Sequence, residues 1–175
     1  MIYKYILITV ALLTLSSCKN EKKDNSKNED TTSHYYFIRH AEKERLNPDD
    51  DNPKLTTEGK LRAENWSTIL DDVKFDAVFS TNYIRTLETA KPTATQNNLE
   101  ITIYKPNELD VKSFLKDTEG KHILIVGHSN TTPKLVNTII KKQEYEDIND
   151  YIFGNLYHVT IANGEILNYE LTTNH

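Results

Sequence analysis

The stretch YYFIRHAEK, Tyr35 to Lys43, begins as a short run of aromatic and aliphatic residues and reaches the adjacent cations Arg39 and His40. Such a run is typical of a strand that is buried in a parallel sheet. Two cationic side chains at the tip of a buried strand lose hydration, and this costs free energy unless a partner accepts their hydrogen bonds. We therefore expect an anionic group to bind at the end of this strand.

The rest of the folded part alternates strand-like and helix-like segments. Thr56 is a natural N-cap for the first helix, and Thr132-Pro133 is a favourable start for the last one. Two alternating strands around Asn163-Gly164 close the chain as a predicted hairpin. This order predicts an α/β fold: a three-layer αβα sandwich with a mostly parallel central sheet and a C-terminal antiparallel hairpin. The other predicted buried strands are Phe75–Ser80, Ile101–Tyr104 and His122–Gly127.

The N-terminal residues have a different character from the rest of the chain. Lys4 precedes an apolar run from Tyr5 to Leu15, which is short for a bilayer span and suits a signal peptide. Small residues then lead to Cys18, the only cysteine in the chain. This pattern resembles the lipobox of bacterial lipoproteins, in which the cysteine is lipidated and becomes the mature N-terminus. A plain secretory signal with an incidental cysteine is the alternative.

Residues 19–33 carry lysines, acidic residues and no large apolar side chain, so we expect a flexible tether. The predicted organisation is a signal peptide over 1–17, the lipidated cysteine and tether over 18–33, and one folded domain over 34–175. We therefore expect a lipid-anchored membrane protein of the bacterial cell envelope, facing the periplasm or the outer surface. The net charge of −5 leaves no broad basic surface for nucleic acid.

The unusual residues fall where a parallel sheet binds its ligands, outside the carboxyl ends of the strands. Arg39 and His40 end the first strand, Arg85 opens the helix after the second, and His128 ends the fourth. Arginine binds phosphate oxygens bidentately and stays charged, and histidine supplies a nucleophilic or proton-carrying nitrogen. Two arginines and two histidines in one crevice therefore predict a site for a phosphoryl dianion.

These motifs, in this order, resemble the histidine phosphatase superfamily, the phosphoglycerate-mutase-like proteins. The resemblance covers the chain from about Tyr35 to the end of the last hairpin. One departure is Ala41, which stands where the family has glycine. The matching residues are Arg39-His40 for Arg-His-Gly, Ser80, Arg85, Thr89 and Ala90 for Ser-x4-Arg-x3-Thr-Ala, Gly127-His128 for Gly-His, and Leu55, Thr56 and Gly59 for Leu-Thr-x-x-Gly.

The resemblance implies a metal-independent phosphatase that needs no cofactor and acts on a small phosphorylated substrate, a phosphomonoester or a phosphoramidate. It implies that His40 attacks phosphorus and becomes a phosphohistidine. It also implies that Arg39, Arg85 and His128 bind the phosphoryl oxygens and stabilise their charge in the transition state.

The residue that protonates the leaving oxygen is not fixed by a motif. Glu108 lies in the expected loop after the third strand, and we favour it as the general acid. Asp110 and Glu42 are the other candidates.

Two other functions fit parts of the sequence. Residues GHSNT around Ser129 resemble the G-x-S-x-G turn of serine hydrolases, although Thr131 stands where that turn has glycine. A lipoprotein that binds phosphorylated ligands without turnover is the second alternative. The physiological substrate, the membrane face and the oligomeric state stay open.

Overall fold

A computed structural model describes residues 31–174 of the chain. The predicted signal peptide, Cys18 and the tether up to residue 30 lie outside the described residues. One six-stranded sheet has the order β3-β2-β4-β1-β5-β6. Its strands are β1 Ser33–Arg39, β2 Ala77–Ser80, β3 Ile101–Ile103, β4 His122–Gly127, β5 Asn155–Ala162 and β6 Glu165–Thr173.

The sheet is parallel over β1 to β4, and β5 and β6 join it antiparallel. Two helices pack on each face, which confirms the predicted αβα sandwich. Trp66 and Ala90 place α1 and α2 in one apolar cluster, and Phe114 and Ile139 place α3 and α4 in the other. The helices are α1 Thr57–Ile69, α2 Ile84–Gln96, α3 Val111–Asp117 and α4 Thr131–Ile140. Within residues 31–174, no helix combines the length and apolarity that crossing a bilayer requires.

The capping and turn residues predicted from the sequence lie at the ends of these elements. The Thr56 hydroxyl accepts a hydrogen bond from the Gly59 amide, so Thr56 caps α1 as predicted. Asn163 and Gly164 both have positive φ, at 53° and 77°, and make the tight turn between β5 and β6. The last helix begins at Thr131, one residue before the predicted start.

A parallel strand forms over Ile101–Ile103, as predicted, but the prediction that this strand is buried is wrong. The strand β3 ends at Ile103, pairs only with β2, and lies at the edge of the sheet. Ile103 is 46% exposed, whereas Tyr104, just beyond the strand, is buried. A short apolar run does not specify how many neighbours a strand has, and that number decides its burial.

Candidate active site

The parallel register brings the predicted site residues to one edge of the sheet. Arg39 pairs with Gly127, so His40 and His128 follow side by side at the ends of β1 and β4. A pocket of about 900 Å³ opens there. All five residues predicted for catalysis line it, namely Arg39, His40, Arg85, Glu108 and His128.

His40 lies at the floor of the pocket with 3% of its surface exposed. Its Nδ1 is 2.8 Å from the carbonyl oxygen of Ala41. Because a carbonyl only accepts, Nδ1 carries the proton and Nε2 keeps its lone pair. Burial, together with the positive charges of Arg39, His128 and Arg85, lowers the pKa of His40 to about 3. His40 is therefore neutral at pH 7 and presents an unprotonated Nε2, as a nucleophile requires.

Arg39 is almost fully buried, and the segment after α4 fixes its guanidinium. Nη1 donates to the carbonyl oxygens of Asn149 at 2.9 Å and Ile152 at 3.0 Å, and Nη2 donates to Asp150 Oδ1 at 2.7 Å. The ring of Phe153 lies 4.5 Å from the guanidinium carbon. Nε is buried and has no hydrogen-bond partner among the described residues. Arg39 is thus held rigidly with its Nε–H group left for a ligand.

The sequence did not single out Asp150, and no motif surrounds it. This carboxylate bridges two cations, Arg39 Nη2 and Arg45 Nη1, at 2.7 Å and 2.6 Å. Hydrogen bonds from Arg45 and Arg39 and their positive charges hold the pKa of Asp150 well below its usual range. Asp150 is therefore ionised at neutral pH and orients Arg39.

Arg85 lies in the first turn of α2 and lines the same pocket. Its guanidinium stacks on the ring of Tyr83 at 4.4 Å, and Nη1 donates to the carbonyl oxygen of Asp51 at 3.3 Å. Nε is buried and has no partner within residues 31–174. Arg39 and Arg85 therefore each present an unsatisfied N–H group, which is what an oxyanion site needs.

His128 is oriented by a short chain of hydroxyl groups. Its Nε2 lies 2.9 Å from Thr81 Oγ1, which donates to Thr86 Oγ1 at 3.0 Å. Since the single hydroxyl proton of Thr81 is used in that bond, His128 Nε2 donates to Thr81. Burial and the charges of Arg85, Arg39 and Lys43 lower the pKa of His128 to about 4. His128 is therefore neutral until a bound dianion raises its pKa.

The three carboxylates proposed as the general acid have different environments in the structure. Glu108 is exposed at the pocket and pairs with Lys105 at 3.0 Å. Asp110 caps α3 by accepting backbone N–H groups, and Glu42 pairs with Arg62 at 2.7 Å. Of the three, only Glu108 is among the described residues that line the pocket.

Ser129 also lines the pocket, next to His128. Within the described part of the chain, its hydroxyl makes no hydrogen bond with a histidine. The nearest histidine in sequence, His128, directs Nε2 to Thr81. The arrangement of a serine nucleophile with its base, which a serine hydrolase needs, is thus not formed.

Residues 35–106 match the family model "Histidine phosphatase superfamily (branch 1)", a segment that includes Arg39, His40 and Arg85 but ends before Glu108 and His128. No curated protein sequence matches the chain.

Solved structures of phosphatases share the fold. The alpha-ribazole phosphatase from Shigella flexneri has a TM-score of 0.60 and 18% identity, over 80% of this chain and 95% of that one. The protein histidine phosphatase SixA, complexed with tungstate, has a TM-score of 0.63 and 16% identity, over 80% and 96%. Phosphoserine phosphatase from Entamoeba histolytica, in complex with 3-phosphoglyceric acid, has a TM-score of 0.60 and 15% identity, over 80% and 98%. The chain thus has the fold of these phosphatases, and its segment 35–106 matches the histidine phosphatase superfamily.

Proposed function

We propose that this chain is a histidine phosphatase that hydrolyses phosphomonoesters or phosphoramidates through a phosphohistidine. The observation that carries the proposal is the state of His40. His40 is buried and neutral. Its Nδ1 donates a hydrogen bond to the carbonyl oxygen of Ala41, and its Nε2 keeps its lone pair among cationic side chains. The family match and the shared fold support the same activity.

The geometry supports a two-step displacement. In the first step Nε2 of His40 forms a bond to phosphorus, and the bond from phosphorus to the leaving oxygen, or to the leaving nitrogen of a phosphoramidate, breaks. Glu108, released from Lys105 and protonated, gives the leaving atom its proton and becomes a carboxylate. In the second step water attacks phosphorus, Glu108 takes a proton from that water, and the bond to Nε2 breaks. The Nε–H groups of Arg39 and Arg85, with His128 once protonated, stabilise the charge on the equatorial oxygens.

We propose a small phosphorylated substrate and a reaction that requires no metal or cofactor. The pocket is open, and the Entamoeba neighbour is a phosphoserine phosphatase solved with a phosphorylated acid. Glu108 must leave Lys105 to reach a leaving oxygen, and its exposure permits that movement.

The proposed location rests on the N-terminal sequence. We propose that Cys18 carries a lipid that anchors the domain to the bacterial envelope, through the tether that follows it. Metabolic labelling with an alkyne fatty acid tests this, with Cys18→Ser as the control. Label that remains in the variant would contradict the proposal.

The decisive experiment measures phosphate release from an aryl phosphate, with a chelator present throughout. We expect turnover by the wild type, loss of turnover in His40→Ala, and retained turnover in His158→Ala, which removes a histidine of β5 outside the pocket. Radiolabelled phosphate trapped on the wild type should be absent from His40→Ala.

The other outcomes separate the alternatives. Phosphate binding without turnover would favour the non-catalytic binding protein. Equal turnover in the wild type and His40→Ala would show that His40 is not the nucleophile. Loss of that turnover with a serine-directed fluorophosphonate would favour Ser129.

A further inference from the structure

Charged side chains around the pocket divide into paired and unpaired groups. Arg39 shares Asp150 with Arg45, and Lys105 pairs with Glu108. Two cations on the pocket wall, Arg85 and Lys43, are left without a carboxylate partner among residues 31–174. Asp147 also lines the pocket but is exposed and forms an ion pair with neither.

Lys43 is the cation for which the proposed chemistry has no role. Its ammonium makes no hydrogen bond or ion pair in the described part of the chain, although the residue is partly buried. Its backbone is fixed by a bridge to Leu55, so the side chain starts from a rigid position. Burial and the charges of Arg85 and Arg45 lower its pKa. These cations repel one another until an anion binds.

Lys43 lies at the border of the pocket. Arg39 and His40 are buried at the floor of the pocket, whereas Lys43 lies between this pocket and an adjoining depression of about 400 Å³. Arg45 and Tyr151 line that depression as well. A substrate that extends from His40 toward that depression therefore passes Lys43.

The environment of Lys43 supports a further anion. Its ammonium is partly buried, and a cation that is partly desolvated gains most from a direct anionic partner.

We infer that Lys43 binds a second anionic group on the leaving-group side of the substrate, a carboxylate or a second phosphate. The inference rests on the proposed function for the phosphoryl site. It narrows the substrate class to phosphorylated molecules with a further negative charge a few bonds from the phosphate.

The test measures binding of non-hydrolysable phosphonates to the full-length protein by calorimetry, so it does not need turnover. The probes are 3-carboxyphenylphosphonate and its uncharged isostere 3-carbamoylphenylphosphonate. We expect the wild type to bind the carboxylate roughly threefold to tenfold more tightly. Lys43→Met should bring that ratio to about one, and Lys43→Arg should retain it. Lys121→Met, which removes an exposed lysine outside the pocket, should also retain it.

Three results would overturn the inference. The first is a wild type that shows no preference for the carboxylate, and the second is a Lys43→Met variant that keeps the preference. Alternatively, Lys43→Met would weaken both phosphonates equally, which would place Lys43 on the phosphoryl group itself. Benzene-1,3-diphosphonate in place of the carboxylate distinguishes a second phosphate from a carboxylate.

Failure of the phosphatase proposal is recognised separately. A Lys43-dependent preference without hydrolysis of aryl phosphates would refute turnover and leave this second anion site intact.

Discussion

Lowering the pH from 7 to 4.5 should destabilise the folded protein through two pocket histidines. Burial lowers the pKa of His40 to about 3 and that of His128 to about 4, whereas both titrate near about 6.5 in the unfolded chain. At pH 4.5 the unfolded chain takes up both protons and the folded protein does not. Stability is therefore full above pH 6.5 and is lost as the pH falls toward the folded pKa values.

The size of this effect follows from proton linkage. Between pH 7 and pH 4.5, each of these histidines lowers the free energy of unfolding by about 2.5 kcal/mol, which gives about 5 kcal/mol together. That sum is comparable with the whole stability of many domains. At pH 4.5 the strongly lowered pKa of Asp150 keeps that carboxylate ionised, so its own contribution changes little.

Urea unfolding at the two pH values measures the effect in the wild type and in the double variant His40→Gln/His128→Gln. The variant lacks both titrating groups and keeps every other one, so it should lose about 5 kcal/mol less than the wild type on acidification. A variant that loses as much stability as the wild type would refute the reasoning. The two histidines would then take up their protons in the folded protein near the ordinary pKa.

Three further predictions concern single substitutions. Thr56→Ala removes the cap of α1 and should lower the free energy of unfolding by about 1 kcal/mol, measured by urea unfolding; an unchanged midpoint would contradict the capping role. Gly59→Ala places a methyl group 2.2 Å from the Glu42 carbonyl oxygen and should cost about 1–3 kcal/mol in the same assay, whereas a neutral result would mean that this backbone yields freely. Asp150→Asn should lower kcat/KM for an aryl phosphate roughly tenfold by releasing Arg39, with little change in folding; a loss of stability in place of activity would make Asp150 a purely structural residue.

Much of the site was predictable from the sequence because its motifs lie at strand ends. Arg39, His40, Arg85 and His128 each follow or begin an element that local pattern identifies, and parallel strands bring their carboxyl ends to one edge. The αβα layering and the final hairpin followed from the same alternation. The edge position of β3 did not, since an apolar run does not reveal how many strands pair with it.

Residues that act on the site from distant segments were not predictable. Asp150 and the carbonyl oxygens of Asn149 and Ile152 reach Arg39 from more than a hundred residues away in a segment without a motif. In the sequence, Glu108 was favoured over the other two candidate acids only by its place in the loop after the third strand. Tertiary contacts distinguish Glu108 at the pocket from Asp110, which caps a helix, and from Glu42, which pairs with another helix.

The amino-acid sequence by itself determined the order of the elements and the residue types of the candidate site, because both depend on local pattern and residue type. Only the tertiary structure decided which nitrogen of His40 is free and why it is neutral, because proton position and pKa depend on the carbonyl groups, burial and charges that folding places around the ring. The lack of a charged partner for Lys43 among residues 31–174 was decided in the same way. Charge pairing is a property of distances in space, which the order of residues along the chain does not contain.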